Sequence, residues 1–376
     1  MQLDDILTPA LVLDLGRMTR NIDRMRSRVA RLGVAFRPHV KTAKSIEVCR
    51  RLTASPGGPI TVSTLHEAER FFAHGVTDIL YAVGISPDKL PHVADLRARG
   101  CDLSVVLDSR EAARAVSAFC RARGSRIPVL VEIDCDGHRS GVRPDDPGLA
   151  DLAAEVGAGA ALGGVMTHAG GAYTCASVRV LAAAAEQERA AVVDAASRLR
   201  AAGFSVPIVS VGSTPTATFA ADLSGVTELR AGVFVFQDLF QAGLGVCAVG
   251  DIALSVLVSV IGWQRDKGWI ITDGGWMALS GDRGTMRQAT DRGLGLVLDA
   301  DGRLLDGFLV SGANQEHGVV SRPDGAPVDW SRFPLGAHLR VLPNHACATA
   351  AQHAAYHVVD GSGEVVGRWE RFGGWE

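Results

Sequence analysis

Short apolar, β-branched runs alternate with longer Ala-, Arg- and Glu-rich stretches through the first two thirds of the chain. The runs VAFRPHV (34–40), PITVSTL (59–65), DILYAVG (78–84), DLSVVLD (102–108), IPVLVEID (127–134), LGGVMTHAG (162–170), VPIVSVGS (206–213) and TELRAGVFVF (227–236) predict strands. Between them, PDKLPHVADLRARG (87–100) and SVRVLAAAAEQERAAVVDAASRLRAAG (177–203) place apolar residues at helical spacing, the second ending on glycine. Such alternation predicts a parallel sheet, most economically a closed (β/α)8 TIM-type barrel over residues 16–245, with a doubly wound open sheet as the alternative.

The texture changes near residue 245. Long helical stretches give way to short runs broken by Gly, Asp and Pro: ALSVLVSVIG, GWIITDGG, LGLVLDADGR, HLRVLPNHACATAAQ and YHVVDGSGEVVGRWER. These predict an antiparallel β domain with tight turns over 246–376. PALVLDL (9–15) reads as a further strand outside the barrel, so residues 1–15 are assigned to that second domain.

A chain of 376 residues with 47% apolar content can fill the cores of two such domains. A net charge of −3 gives no reason to expect nucleic acid or an anionic membrane as partner. MQLDDILTPA lacks the basic start and apolar run of a secretory signal, and IALSVLVSVIGW (252–263) falls well short of the roughly 20 residues of a membrane helix. Seven cysteines without a repeated spacing argue against a disulfide framework. The expectation is a soluble, cytoplasmic enzyme.

In a barrel of this kind chemistry lies at the C-terminal ends of the strands. RPHVKTAKS (37–45) ends the first strand, where alternation puts His39 and Lys41 on one face. A lysine there, desolvated and near Arg37, would have a lowered pKa and serve as an amine nucleophile; a surface lysine is the plain alternative. The seventh run ends in GSTPT (212–216), a turn that presents backbone N–H groups and hydroxyls where such barrels often bind phosphate. An activated amine and a phosphate cradle in one barrel mouth suggest pyridoxal phosphate. In PNHACAT (343–349), read as a strand, His345 and Cys347 project from one face and could grip one metal; a thiolate with an imidazole favours zinc.

With RPHVKTAKS, TVSTLHEAERFFAHGVTDILYA, EIDCDGHRSGV, THAGGAY, VSVGSTPT, TELRAGVFVFQD, ANQEHG and PNHACAT in this order, the chain resembles the D-serine dehydratase and D-threonine aldolase group, whose barrel is similar to the N-terminal domain of alanine racemase. Within the group it most resembles the D-threo-3-hydroxyaspartate dehydratases. The resemblance implies that Lys41 forms the imine with the coenzyme and moves the Cα proton. It implies that Arg139 faces the phenolic oxygen, that His168 lies against the pyridine ring, and that Gly212, Ser213 and Thr214 take the phosphate, with His39 also beside the cofactor. Arg230 would lie near the pyridine nitrogen, which it cannot protonate, so carbanion stabilisation needs other charges. The resemblance supplies one in the metal on His345 and Cys347: zinc by donor type, with Mn2+, Co2+ or Mg2+ as alternatives.

Gln315, Glu316 and His317 form a polar cluster that either faces substrate or caps an exposed hairpin. Tyr173 is a candidate acid/base or a packed tyrosine, and Gly171 stands where relatives reading HAGHSY have histidine. The implied reaction is dehydration of a D-3-hydroxy amino acid, D-threo-3-hydroxyaspartate or D-serine, to a 2-oxo acid and ammonia. Retro-aldol cleavage by a D-threonine aldolase, amino-acid racemization and a non-catalytic coenzyme-binding protein are the alternatives. Family members are typically homodimers acting on a small D-amino acid.

Overall fold

The computed structural model describes residues 2–375. The chain divides into two compact units: one takes the chain up to Asp23 together with Val233–Gly373, the other Arg24–Gly232. The first strand, β1 (Ala10–Asp14), belongs to the former.

The unit of residues 24–232 is built on β2 (Ala35–Phe36), β3 (Ile60–Val62), β4 (Asp78–Gly84), β5 (Asp102–Leu107), β6 (Pro128–Ile133), β7 (Ala161–Thr167), β8 (Ile208–Val211) and β9 (Glu228–Leu229). All pair in parallel, in the order β2-β9-β8-β7-β6-β5-β4-β3. The ring closes on a parallel bridge between His39 and Thr61, where Val40 N–H donates to the Thr61 carbonyl and Thr61 N–H to the Pro38 carbonyl, both at 2.9 Å. This is the TIM-type barrel expected from the alternation. Leu80, Val106, Leu130 and Met166 gather one buried apolar cluster from four neighbouring strands.

Helices follow the strands, and their starts are written in the sequence. Thr64, Ser109, Ser177 and Ser213 each cap a helix by accepting from the backbone N–H three residues on. The long helix Val178–Ala201 buries Leu181, Ala185, Glu188, Val192, Ala195, Ala196 and Leu199 along one stripe.

Two of the expected strands are much shorter than read. Only Ala35–Phe36 of 34–40 pairs as strand: Pro38 has no N–H to give a ladder, and Lys41 falls in the turn that follows. Of 227–236 only Glu228–Leu229 is strand, and Val233–Val235 is a 3₁₀ turn.

In the other unit, β10 (Leu254–Gln264), β11 (Trp269–Thr272), β12 (Leu296–Asp299), β13 (Leu304–Ala313), β14 (Gly318–Ser321) and β15 (His338–Leu342) close an antiparallel barrel, because β10 pairs with both β11 and β15. β1 lies antiparallel to β10 and parallel to β16 (Ala355–Val359), and β17 (Val365–Glu370) ends the sheet. Leu3, Ile6, Ala10, Val12, Leu257 and Val359 form one buried apolar cluster of this unit, and Leu239, Ile252, Leu296, Leu298 and Leu342 another. PNHACAT is not a strand: β15 stops at Leu342 before Pro343, and His345 is the N-cap of a short helix, Ala346–Ala350, that contains Cys347. None of the seven cysteines is in a disulfide, and no helix among the described residues is long and apolar enough to cross a membrane.

Candidate active site

In the parallel barrel, Lys41, His39, His168 and Arg230 share one neighbourhood. Burial is the larger influence on both imidazoles, and the charges of Lys41 and Arg230 add to it. His168 is held down to about 3 and His39 well below its ordinary value, so both rings are neutral at physiological pH. Nδ1 of His168 lies 2.9 Å from the Gly212 carbonyl, which can only accept, so the proton sits on Nδ1 and Nε2 is left as an acceptor. His39 has the opposite arrangement, Nδ1 accepting from Lys41 N–H at 3.4 Å.

Lys41 is exposed, not desolvated as the sequence suggested. Arg37 is also not its electrostatic neighbour in the sense expected. Its guanidinium is buried and committed to Glu228 at 2.9 Å and Asp78 at 2.6 Å.

Arg230 is buried, donating to Ser210 Oγ and to the Thr167 carbonyl. Burial works against its charge, while Glu228, Glu188 and Glu132 work for it. Glu188 is the structural keystone of this end: one oxygen accepts from Ala169 N–H at 2.9 Å and from Gly212 N–H at 3.1 Å, tying the ends of β7 and β8 together. Burial raises its pKa. Sequence reading passed over Glu188, though a carboxylate on the apolar stripe Leu181, Ala185, Val192 was a visible signal.

Gly212, Ser213 and Thr214 open the helix Thr214–Phe219. Ser213 and Thr216 form a reciprocal capping box, with Thr216 N–H donating to Ser213 Oγ at 3.2 Å and Ser213 N–H to Thr216 Oγ1 at 3.1 Å. Gly212 has φ +141°, and a β-carbon there would stand 1.8 Å from the Arg230 carbonyl oxygen, so only glycine fits.

Arg139 is largely exposed and pairs with the buried Glu132 at 3.3 Å. Tyr173 lies in the 3₁₀ turn Gly170–Thr174 with its ring centroid 6.2 Å from that of His168. That turn is tied to the DGHRSGV loop by Gly171 N–H, which donates to Asp136 at 2.7 Å.

A second group of residues lies in the antiparallel unit. His345 Nδ1 is 2.8 Å from Asp282 Oδ2, and the ring also hydrogen-bonds Cys347. Burial alone would lower the imidazole, but these two hydrogen bonds outweigh it and push it up to about 11. Asp238, buried and raised to about 6 by that burial, accepts from Ala346 N–H at 2.9 Å and Gln241 N–H at 2.8 Å. With Nδ1 occupied by a carboxylate, Nε2 is the nitrogen left for a metal, the arrangement that ligating histidines usually show. Among the described residues no group of three or more His, Cys, Asp or Glu side chains gathers as an ion cage. His345 and Cys347, in contact, offer one imidazole and one thiol as donors. Asp282 and Asp238 were not read from the sequence.

Gln315, Glu316 and His317 form the exposed turn between β13 and β14. The turn is fixed by Asn314 N–H donating to the His317 carbonyl at 2.8 Å, and by Trp276 and Met277 N–H groups donating to the Asn314 and Gln315 carbonyls.

Residues 13–239 match the alanine racemase N-terminal domain and residues 253–359 a serine dehydratase domain. The D-threo-3-hydroxyaspartate dehydratase of Delftia sp. (strain HT23) is 55% identical over 98% of both chains. The chain belongs to the D-serine dehydratase and D-threonine aldolase family. The solved structure of the Delftia enzyme aligns over all of both chains with a TM-score of 0.97. A cysteine-to-alanine variant of the same dehydratase, solved in the metal-free form, aligns equally well at 54% identity. The D-threonine aldolase of Arthrobacter sp. is 30% identical over 96% of this chain and 91% of its own. Dehydratases and aldolases are both lyases, so family, fold and enzyme class agree with the expectations from sequence.

Proposed function

We propose that this chain is a pyridoxal-phosphate- and metal-dependent lyase that dehydrates D-3-hydroxy amino acids, D-threo-3-hydroxyaspartate or D-serine, to a 2-oxo acid and ammonia. The observation that carries the reading is the contact of His345 with Cys347 in a chain so closely related to a dehydratase of that substrate class. By the family resemblance, a histidine with a cysteine here implies a dehydratase, and a histidine with an aspartate several of the aldolases.

The residues fit both groups. An exposed amine at Lys41, two neutral imidazoles at His39 and His168, a buried guanidinium at Arg230 and a helix start at Gly212–Ser213–Thr214 suit the coenzyme. One imidazole with a thiol suits zinc. Bound coenzyme withdraws electrons from the substrate α-carbon, and a bound divalent cation makes the β-hydroxyl a better leaving group.

The chain's own groups would do the rest. Lys41 Nζ takes the proton from the substrate Cα. By the resemblance, Gly212, Ser213 and Thr214 would line the coenzyme phosphate, and His168 would offer an uncharged ring, with its acceptor Nε2, to the coenzyme. By the resemblance, Arg230, unable to give up a proton, would partner the pyridine nitrogen and Arg139 the phenolic oxygen, Tyr173 would be the second acid/base, and Gln315, Glu316 and His317 would contact substrate. We place the enzyme in the cytoplasm, in keeping with cysteines that lack a repeated spacing, and as a homodimer by the family resemblance.

A relative of 30% identity that is a D-threonine aldolase keeps one second reading in play, cleavage of Cα–Cβ to glycine and an aldehyde. Separate incubations with D-threo-3-hydroxyaspartate, D-serine and D-threonine, assayed for ammonia and for glycine, discriminate the two. Ammonia with 2-oxo acid supports the proposal, and glycine from any of the three overturns it.

A further inference from the structure

Nothing in the family motifs accounts for the loop between β11 and β12, residues 273–295, yet that loop delivers a carboxylate to His345. Asp282 Oδ2 stands 2.8 Å from Nδ1 of the imidazole. Its other oxygen is also engaged, accepting from Gly284 N–H at 2.8 Å. The carboxylate is thus held by both oxygens and cannot swing. The loop itself is pinned to the metal-pair segment by Asn344, which is buried: its Nδ2 donates to the carbonyls of Asp282 at 3.2 Å and Gly293 at 2.6 Å, and its Oδ1 accepts from Thr285 at 3.0 Å. From the other side, Asp238 accepts from the N–H of Ala346, the residue between His345 and Cys347.

We infer that Asp282 is a positioning residue for the metal site: it keeps the His345 proton on Nδ1 and the ring oriented so that Nε2 faces the ion. The inference rests on the reading that His345 and Cys347 hold a metal. An ion that binds Nε2 displaces the proton there, and a carboxylate can only accept, so Asp282 holds the remaining proton on Nδ1 and keeps the Nε2 lone pair on the ion's side. Partners of this kind raise metal affinity by about 10- to 100-fold.

The side chain makes the isosteric amide a sharp test. In Asp282→Asn, an amide oxygen kept on Gly284 N–H turns the amide NH2 toward His345. Nδ1 must then accept, moving the ring proton to Nε2 and blocking ligation. If the amide flips instead, its NH2 meets Gly284 N–H with nothing to accept from either. Packing volume is retained in both cases; the first reverses the hydrogen bond to His345, and the second loses the one from Gly284.

The test measures Zn2+ affinity by competition with a chelator, and the absorption of the Co2+ form, on the purified wild type, Asp282→Asn, His345→Ala and Cys347→Ala, with thermal melts of each. The expected result is one ion per wild-type chain, loss of binding in His345→Ala and Cys347→Ala, and binding about 10- to 100-fold weaker in Asp282→Asn with an unchanged melt. Wild-type affinity and an unaltered Co2+ spectrum in Asp282→Asn, with binding still lost in His345→Ala, would overturn the positioning role and leave the metal reading standing. Should Asp282→Asn melt earlier, Asp282→Glu decides: it keeps the acceptor, so restored affinity supports the role and continued loss removes it. Equal binding by wild type and His345→Ala would remove both.

Discussion

His168 and Gly212 are joined end to end across adjacent strands, the imidazole Nδ1–H donating 2.9 Å to the carbonyl oxygen. Burial, helped by the charges of Lys41, Arg230 and Arg139, outweighs that bond and holds the ring neutral, with its pKa at about 3 against an ordinary 6.5. In the unfolded chain the same ring takes up a proton below 6.5. Folded-state stability from this site is therefore fully present above that pH and is lost progressively as pH falls from 6.5 towards 3. His39 acts in the same direction. Nitrogen NMR of the imidazoles at falling pH checks this: the His168 signals should stay those of a neutral Nδ1–H ring at pH 5, and a midpoint near 6.5 would contradict it.

Replacing Lys41 with alanine should remove covalent capture of the coenzyme and lower turnover by at least about a thousandfold, the usual scale for losing a covalent catalytic group. Borohydride reduction followed by peptide mapping locates the coenzyme. A labelled residue other than Lys41 would refute the assignment.

Exchange of Cys347 for alanine should release the bound ion and cost on the order of a hundredfold or more in dehydration, the scale of a lost Lewis acid. Chelator treatment of the wild type should reproduce the effect, with recovery on adding zinc. Full activity in chelator would argue against a metal.

Glu228 carries the buried pair with Arg37 at 2.9 Å and also accepts from Ser210 Oγ at 2.7 Å. Glu228→Ala leaves Arg37 and Arg230 buried without it and should destabilise the protein by about 3 kcal/mol, the low end of the range for breaking a buried pair, because Asp78 still partners Arg37. Urea unfolding measures it. A midpoint equal to wild type would mean that the pair contributes little.

Much of the barrel was legible because local pattern and final structure agree. DILYAVG was read as a strand over 78–84 and is one, its Ile79, Leu80 and Tyr81 all buried. Where tertiary partners took over, the reading slipped. Of RPHVKTAKS only the His39 bridge joins the sheet, because Pro38 cannot donate, and the Arg37 side chain is drawn onto Glu228, a partner 191 residues away. HACAT turns helical because Pro343 ends β15, and Asp238 accepts the N–H of Ala346 from 108 residues upstream.

The sequence by itself determined the family, the two fold types and the ordered set of reactive groups, since each rests on residue type and short-range spacing. Only the tertiary structure decided which carboxylates serve them: Glu188 under β7 and β8, Glu228 between Arg37 and Ser210, Asp282 behind His345. The physical reason is that an ionic or hydrogen-bonded pair is set by distance in space, and neither spacing nor periodicity carries that distance when the partners lie on different elements of the chain.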